Sequence, residues 1–199
     1  MYCILVTGVP ASGKSTLAKY LGKQLELPVI SKDRIKEQLF DDVGFRSREE
    51  KVKLGIASMN IMYYMSEQLM KCNKPFLLEN NFENISRDGL LNILEKYSYT
   101  AITVTLTGNY QEIYKRFLER NNSPDRHRGH VVNDHYPETE PGRAVPKVSY
   151  EALVCGITGR GMDSFVANGP HIVVDTTDFR KVDSEAIVTE VKAYIKQIL

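Results

Sequence analysis

A glycine-rich loop with one lysine, residues 8–16, directly follows an apolar run and directly precedes a helical pattern. Its first eight residues fit the spacing G-x-x-x-x-G-K-[ST], and Thr16 follows them. The nine residues are Gly8, Val9, Pro10, Ala11, Ser12, Gly13, Lys14, Ser15 and Thr16. In this spacing main-chain N–H groups converge on phosphate oxygens, Lys14 reaches the outer phosphates, and the Ser15 hydroxyl suits Mg²⁺. The alternative is a glycine turn with an exposed lysine, but the order of strand, loop and helix favours a nucleotide site.

Asp33 is the candidate catalytic base. It lies just past a predicted short strand, Pro28-Val29-Ile30, and in the first turn of the next predicted helix. Transfer of a γ-phosphoryl group to a hydroxyl needs a carboxylate that orients the acceptor oxygen and takes its proton, and cations that spread the developing charge. The alternative interpretation of Asp33 is a helix N-terminal acid stabilised by the helix dipole.

Glu79 closes the apolar run Phe76-Leu77-Leu78, and Asn80 and Asn81 extend the polar patch after it. In phosphate-loop proteins a carboxylate at such a strand end holds Mg²⁺ directly or through water. The alternative is an ordinary polar strand end. We predict that Ser15 and Glu79 are the metal-binding residues.

Residues 121–148, called the lid below, lose all periodicity, and we expect a mobile insertion or flap there. The residues that interrupt a helical or strand pattern there are Pro124, Pro137, Pro141, Gly142 and Pro146. The lid and the residue before it carry basic side chains, namely Arg120, Arg126, His127, Arg128 and Arg143. Guanidinium groups match phosphate oxygens and gain strength when a closing lid excludes water, although a solvated basic loop is the alternative. For His127, His130 and His135 we expect phosphate contacts or hydrogen bonds within the loop.

The elements that must position these residues alternate between strand and helix along the chain. Strands are predicted near residues 2–7, 28–30, 76–79, 99–106 and 171–174. Helices are predicted near residues 14–26, 32–40, 47–72, 86–97, 110–120, within 150–165, and at 183–199, with Ser31 capping the second and Ser47 the third. This pattern predicts one α/β domain over 1–199, a doubly wound parallel five-stranded sheet between two helical layers. Ligands bind such sheets at the carboxyl ends of the strands, where the candidate residues lie.

The amino-acid composition indicates which binding partners and which cellular compartment to expect. The chain has 26 basic and 25 acidic residues and a net charge of +1, which argues against a field that attracts long nucleic acids, although a nucleic-acid end remains possible. The three scattered cysteines, Cys3, Cys72 and Cys155, are interpreted as reduced core thiols of a cytoplasmic protein. No signal peptide, membrane span or obligate protein partner is expected.

Taken together, these residues resemble the P-loop kinases of the polynucleotide 5′-hydroxyl kinase and zeta-toxin type, over nearly the whole chain. The resemblance rests on the phosphate loop, the base motif Ser31-Lys32-Asp33-Arg34-Ile35-Lys36, the strand end Glu79-Asn80-Asn81, the lid signature Arg126-His127-Arg128-Gly129-His130 and the run Val174-Asp175-Thr176-Thr177-Asp178. It implies ATP and Mg²⁺ as cofactors, with Arg120 and Arg126 clamping phosphates and Arg126 taking part in catalysis. It also implies Asp33, Lys36 and Asn81 on the acceptor side and Thr176 beside the nucleobase.

The leading hypothesis is therefore an ATP- and Mg²⁺-dependent phosphotransferase that acts on a hydroxyl of a small molecule or of a nucleic-acid 5′ end. Two alternatives stay open: a nucleotide-dependent regulatory ATPase, and a toxin-like kinase of a nucleotide sugar. A guanine-nucleotide switch is disfavoured because Asn73-Lys74-Pro75-Phe76 lacks the aspartate of N-K-x-D.

Overall fold

A computed structural model of the chain describes residues 1–139 and 147–199. Its centre is a five-stranded, all-parallel sheet in the order β2-β3-β1-β4-β5. The strands are β1 (Tyr2–Gly8), β2 (Val29–Ser31), β3 (Leu77–Glu79), β4 (Thr100–Thr107) and β5 (His171–Asp175). Helices cover both faces of this sheet, so the predicted doubly wound α/β fold is confirmed.

The described helices follow the predicted order with small shifts at their ends. They are α1 (Lys14–Leu25), α2 (Lys32–Val43), α3 (Arg48–Lys71), α4 (Asn84–Lys96), α5 (Tyr110–Asn122), α6 (Arg128–Val131), α7 (Tyr150–Arg160) and α8 (Ser184–Ile198). A 3₁₀ turn, Phe179–Lys181, precedes α8. Helix α6 was not predicted, because its four residues are too few to show a period. It is stabilised locally by His127, whose ring accepts a hydrogen bond from the Gly129 N–H at 3.1 Å.

Strand β1 is buried along its whole length, because helices pack on both sides of it. On one side Ile4 and Val6 join a core with α1 and α8 residues. On the other side Cys3 and Leu5 join a core with α3 and α4 residues. The continuous apolar run in the sequence therefore reflects a strand at the centre of a three-layer domain.

The strand register brings the carboxyl ends of three strands together. Glu79 of β3 is paired with Val6 of β1 on one side and with Ser31 of β2 on the other. The phosphate loop continues from β1, and α2 begins directly after Ser31. The phosphate loop, the start of α2 and the end of β3 therefore lie side by side at the carboxyl-end edge of the sheet.

The described part of the lid packs against α2 and α3. Phe45 and Tyr136 exchange two main-chain hydrogen bonds of 2.8 Å, and Phe40, Phe45 and Val132 form a small buried cluster. A Cβ atom on Gly129 would lie 2.4 Å from the Phe40 ring, so only glycine allows this close approach. Of the lid residues singled out in the sequence, Pro141, Gly142, Arg143 and Pro146 lie outside the described residues.

The prediction that all three cysteines are core thiols was wrong for two of them. Cys3 is buried in β1, whereas Cys72 and Cys155 are exposed. Cys72 ends α3 at the C-cap position, and Cys155 lies on the outer side of α7, so neither reaches the sheet. Across residues 1–139 and 147–199, no helix combines the length and the apolar character that crossing a membrane requires.

Candidate active site

The phosphate loop joins β1 to α1 through a backbone that requires glycine at two positions. Gly8 has φ 122° and Gly13 has φ 87°, in the region that favours glycine. A Cβ atom on Gly8 would lie 2.0 Å from the main-chain oxygen of Leu106, so β4 passes directly against it. Gly8 thus supports the loop through packing, and the loop itself turns over residues 9–13.

Lys14 is the first residue of α1 and folds back over its own loop. Its Nζ atom donates to the main-chain oxygen of Val9 at 2.6 Å, and the Ser12 hydroxyl donates to the same oxygen at 2.8 Å. Burial lowers the pKa of Lys14 to about 8, although the negative charge of Glu79 opposes this shift. A buried ammonium group held at the mouth of a main-chain loop is an arrangement suited to an anionic ligand.

Glu79 is buried and is held by two hydroxyl groups. Ser15 Oγ donates to its Oε1 atom at 3.2 Å, and Ser31 Oγ donates to its Oε2 atom. Ser31 is the N-cap residue of α2, as predicted, but its side chain makes no capping hydrogen bond, because its hydroxyl donates to Glu79 instead of accepting from a helix N–H group.

These oxygen atoms fit Mg²⁺, which prefers carboxylate, hydroxyl and water oxygens. Glu79 makes no ion pair with any side chain of residues 1–139 or 147–199. No group of three histidine, cysteine or acidic side chains that could hold a metal occurs in the same residues. Ser15 and Glu79 supply hydroxyl and carboxylate oxygens, and Mg²⁺ usually takes its remaining ligands from phosphate and water.

Asp33 lies in the first turn of α2 and lines the same cleft as Lys14, Glu79 and Asn81. The cleft has a volume of about 530 Å³. Burial alone would raise the pKa of Asp33, but the positive charges around it, including those of His130 and Lys32, outweigh burial and hold its pKa below the ordinary value. The carboxyl group is therefore ionised at neutral pH and able to accept a hydrogen bond from a hydroxyl.

Two arginines approach the cleft from the end of α5 and from the lid. Arg120 lines the cleft, and within the described chain the Nε atoms of Arg120 and Arg126 are buried without a hydrogen-bond partner. Burial, and then the like charge of Arg120, lowers the pKa of Arg126 to about 10. Buried guanidinium groups with unused donors fit phosphate oxygens, which accept such bonds strongly.

Lys36 follows Asp33 by one helical turn on α2. Burial, and then the charge of Lys32, lowers the pKa of Lys36 to about 8. Its Nζ atom lies 5.3 Å from the centre of the Phe40 ring. Lys36 is thus close enough to influence Asp33 electrostatically, although it does not line the 530 Å³ cleft.

The lid histidines make loop hydrogen bonds, in two cases to carboxylates of α2. His127 Nε2 lies 3.0 Å from Asp41 Oδ1, and His130 Nε2 lies 3.1 Å from Glu37 Oε1. His135 lies 3.5 Å from the Thr139 hydroxyl. Burial lowers the pKa of His130, although the hydrogen bond with Glu37 opposes this shift. These bonds dock the lid beside Asp33.

Lys51 of α3 is a residue that the sequence reasoning missed. It is buried, and its Nζ atom donates to the main-chain oxygen of His130 at 2.9 Å, to Asn133 Oδ1 at 3.1 Å and to the main-chain oxygen of Val132. No sequence signal distinguishes it from the exposed lysine at position 53, because its role depends on a contact with the distant lid. Lys51 joins α3 to the segment that follows Arg126.

Arg116 and Phe179 were also missed, and both line the cleft. The carbon Cζ of Arg116 lies 4.1 Å from the centre of the Phe179 ring. Thr176 lines a neighbouring pocket of about 410 Å³ instead of the phosphate cleft, and its hydroxyl donates to the main-chain oxygen of Thr107 at 2.8 Å. The only sequence hint for Phe179 is an aromatic residue directly after the loop at the end of β5.

The structure brings together most, but not all, of the predicted site residues. Those that line the 530 Å³ cleft are Pro10, Ala11, Ser12, Gly13, Lys14, Ser15, Thr16, Asp33, Glu79, Asn81 and Arg120. Those that do not line it are Gly8, Val9, Lys36, Arg126 and Thr176. Gly8 packs against β4, and the main-chain oxygen of Val9 accepts the hydrogen bonds from Ser12 and Lys14. The charge of Arg126 still reaches both Lys14 and Asp33.

The fold is shared with solved kinase structures. A proposed kinase from Chloroflexus aurantiacus is 26% identical, with a TM-score of 0.78 and 97% of each chain covered. A gluconokinase from Sinorhizobium meliloti is 15% identical, with a TM-score of 0.55 over 99% of this chain and 93% of its own. A shikimate kinase from Bacteroides thetaiotaomicron is 14% identical, with a TM-score of 0.54 over 98% of both chains. The last two similarities concern the fold alone.

A comparison with curated proteins finds no significant match. A family model described as an AAA domain matches residues 4–139. The matched range includes the phosphate loop, Asp33, Glu79 and the described part of the lid. This chain therefore belongs to that AAA-domain family and has the fold of a P-loop kinase.

Proposed function

We propose that this protein is an ATP- and Mg²⁺-dependent kinase that transfers the γ-phosphoryl group of ATP to a hydroxyl group of its acceptor. The observation that carries the proposal is the position of the Asp33 carboxylate and the Lys14 ammonium group in one cleft. A nucleotide-binding switch needs the lysine, but it has no need of an ionised carboxylate beside the transferable phosphate. A kinase needs both.

Lys14, Arg120 and Arg126 would hold the phosphates. All three are buried or partly buried cations, and the unused Nε donors of the two arginines suit the extra charge that forms on the transferred group. Because these groups are at least partly buried, their attraction for phosphate oxygens exceeds that of fully exposed side chains.

Asp33 would orient the acceptor hydroxyl and accept its proton. Its pKa lies below the ordinary value, so the group is ionised and positions the hydroxyl before transfer begins. Asn81 lines the same cleft and offers an amide to the acceptor, and Lys36 adds positive charge from behind Asp33. These three residues form the proposed acceptor side.

Ser15 and Glu79 would hold Mg²⁺, which neutralises charge on the phosphates when it is bound. Ser31 fixes the second carboxylate oxygen of Glu79 and so limits its rotation. Glu79 extends one methylene group further than an aspartate, and its Oε1 atom already accepts from Ser15. We propose that Glu79 acts on the metal through a bound water molecule.

The acceptor is proposed to be a small molecule, a nucleotide or the 5′ end of a nucleic acid. A toxin-like kinase of a nucleotide sugar is one form of this proposal. A regulatory ATPase is the competing class, and the ionised Asp33 in the phosphate cleft favours the kinase over it.

Single-turnover consumption of γ-labelled ATP tests the proposal. The enzyme is mixed with ATP and Mg²⁺ alone, and then with sugars, sugar acids, nucleosides, nucleotide sugars and 5′-hydroxyl oligonucleotides. We expect one acceptor class to accelerate ATP consumption and to become labelled. ATP hydrolysis at one rate with every acceptor, together with nucleotide-dependent capture of a protein, would instead identify a regulatory ATPase.

A further inference from the structure

The side of α2 that carries Asp33 also carries two carboxylates that meet the lid. These are Glu37 and Asp41, called the acid pair below, and each follows the previous acid by four residues, so that all three lie along one side of the helix. In the lid, His130 Nε2 lies 3.1 Å from Glu37 Oε1. His127 Nε2 lies 3.0 Å from Asp41 Oδ1. One helix therefore presents the proposed base to the cleft and the acid pair to the lid.

Both histidines donate hydrogen bonds to the acid pair. His127 Nδ1 accepts from the main-chain N–H of Gly129 at 3.1 Å, so the ring proton lies on Nε2 and points to Asp41. Burial would raise the pKa of Glu37, but its hydrogen bond with His130 outweighs burial and holds that pKa below the ordinary value. The Glu37 carboxylate is therefore ionised at neutral pH and accepts from His130 Nε2. Neither contact needs a second proton on the imidazole ring.

The contact between His130 and Glu37 is the more buried of the two. Only 7% of the His130 side chain and 13% of the Glu37 side chain are exposed, whereas Asp41 is 48% exposed. The buried Phe40 ring packs against both histidines, with its centre 5.6 Å from that of His130 and 5.8 Å from that of His127. Because water competes less with a buried hydrogen bond, we expect Glu37 to hold the lid more strongly than Asp41 does.

Arg126 lies in the lid directly before His127. Its main-chain N–H donates to the Ser123 oxygen at 3.1 Å, so its backbone is tied to the end of α5 on one side and, through His127, to α2 on the other. Its side chain is partly buried, and its charge reaches both Lys14 and Asp33. Within the described chain its Nε atom finds no hydrogen-bond partner. An unused donor in this place suits the phosphoryl group that would pass between the phosphate loop and Asp33.

We propose that Glu37 and Asp41 are positioning residues for phosphoryl transfer, which hold the lid so that Arg126 reaches the transferred group. This inference rests on the proposed function, because that function gives Arg126 a phosphoryl group to bind. Neither carboxylate lines the 530 Å³ cleft, so the acid pair acts through the lid and not on the reacting atoms. Since Asp33 lies on the same helix, α2 places the proton acceptor directly and the arginine through the lid.

The test compares the binding of ATP with the binding of ADP and aluminium fluoride, which together imitate the phosphoryl group during transfer. Kd values are measured by calorimetry with Mg²⁺, and neither measurement requires the acceptor. The variant Glu37→Ala/Asp41→Ala removes the acid pair. The matched control is Arg34→Ala/Asp42→Ala, which changes two exposed residues of α2. It removes the surface ion pair of Arg34 with Glu37 at 2.7 Å and leaves the contacts with the lid in place.

Loss of the acid pair should raise the Kd for ADP with aluminium fluoride by about 10- to 100-fold, the cost of moving a catalytic group by about 1 Å. The Kd for ATP should rise by less than about threefold, because the phosphate loop and Lys14 still bind the ground state. The control should change each Kd by less than about twofold. Glu37→Gln should behave like the wild type, since its amide oxygen can still accept from His130.

A double-mutant cycle with Arg126→Ala separates positioning from a general loss of structure. If the acid pair acts through Arg126, its removal from the Arg126→Ala protein should change the Kd for ADP with aluminium fluoride by less than about twofold. An undiminished loss in that protein, or equal weakening of both ligands by removal of the acid pair, would overturn the positioning role while leaving the kinase proposal in place. Failure of the wild type to bind either ligand would instead reject the nucleotide site, and both proposals with it.

Thermal unfolding establishes that each variant is folded at the assay temperature. If the double variant is not, Glu37→Ala alone takes its place, because it removes the more buried of the two contacts. The same cycle with Arg126→Ala then applies, and an unchanged Kd for ADP with aluminium fluoride in Glu37→Ala would overturn the proposal.

Discussion

The Nζ atom of Lys51 on α3 lies 2.9 Å from the main-chain oxygen of His130 in the lid, and it also donates to Val132 and Asn133. All of these acceptors are uncharged. Burial lowers the pKa of Lys51 to about 7, with the charges of Lys36 and Arg48 adding to the shift. The Lys51 side chain therefore helps to hold lid residues 130–133, in addition to the hydrogen bonds of the lid histidines.

Replacement of Lys51 by methionine should destabilise the protein by roughly 1–3 kcal/mol, because buried lid oxygens would lose their donor. Urea denaturation measures this difference. The pKa of an unfolded lysine is higher than that of Lys51 in the folded protein, so the wild type gains stability relative to Lys51→Met as pH rises above about 7. The free energy of unfolding of the wild type should thus exceed that of Lys51→Met by more at pH 9 than at pH 6.

Lys53→Met is the matched control, since Lys53 is exposed and pairs with Glu49 on the surface of α3. It should change stability by less than ~0.5 kcal/mol. If Lys51→Met were as stable as this control at both pH values, the lysine would not hold the lid.

Replacement of Asp33 by asparagine should leave ATP binding within a few-fold of the wild type and reduce kcat by about 10²- to 10⁴-fold, because the proton acceptor is lost while the loop is unchanged. Asp42→Asn, an exposed change at the far end of α2, is the control. Steady-state assays with the acceptor found by the labelling experiment measure kcat, and calorimetry measures ATP binding. An Asp33→Asn enzyme with wild-type kcat would remove Asp33 as the base.

The affinity for ATP should depend on pH through Lys14. Burial lowers its pKa to about 8, so the free protein binds phosphate with a charged lysine below that pH and loses the charge above it. The Kd for ATP should be flat at pH 6–7 and rise by up to about tenfold per unit above pH 8. Calorimetry across this range measures the profile.

Lys36 has a pKa of about 8 as well, so variants must separate the two lysines. The rise in the Kd for ATP above pH 8 should disappear in Lys14→Met and persist in Lys36→Met. The opposite pattern would show that the acceptor-side lysine, and not the phosphate-loop lysine, controls nucleotide affinity.

The fold could be predicted because its signals are local. Apolar runs such as 2–7 and 99–106 mark buried strands, and the residue order around the phosphate loop specifies a strand, a turn and a helix. The rule that ligands bind at the carboxyl ends of parallel strands predicts Asp33 and Glu79 beside Lys14, and the cleft contains all three.

The remaining site residues depend on contacts between distant parts of the chain. Ser31 has the residue type of a helix cap, yet its hydroxyl meets Glu79 because β2 and β3 are paired. Lys51 meets the lid, and Phe179 meets Arg116, across long sequence separations. No periodic pattern or spacing in one sequence encodes such pairs, because they form only when distant segments pack together in the folded chain.

Replacement of Glu79 by glutamine should raise the Mg²⁺ concentration needed for half-maximal activity by about 10- to 100-fold, the usual cost of losing a residue that supports a metal. The amide keeps the size of the side chain but not its charge. Glu95→Gln, an exposed change on α4, is the control. A Mg²⁺ titration of the phosphotransferase rate measures the effect, and an unchanged midpoint in Glu79→Gln would exclude Glu79 from the metal site.

Two glycine-to-alanine changes should shift stability in opposite directions. Gly8→Ala places a Cβ atom 2.0 Å from the Leu106 oxygen at a φ of 122°, so strand β4 would have to move. Gly159 lies in α7 with nothing within 4 Å of its Cβ position, so alanine there should only improve helix propensity. We expect Gly159→Ala to stabilise the protein by about 0.5–1 kcal/mol and Gly8→Ala to destabilise it by more than that gain. Thermal unfolding measures both, and a Gly8→Ala protein as stable as the wild type would contradict the close approach of β4 to the loop.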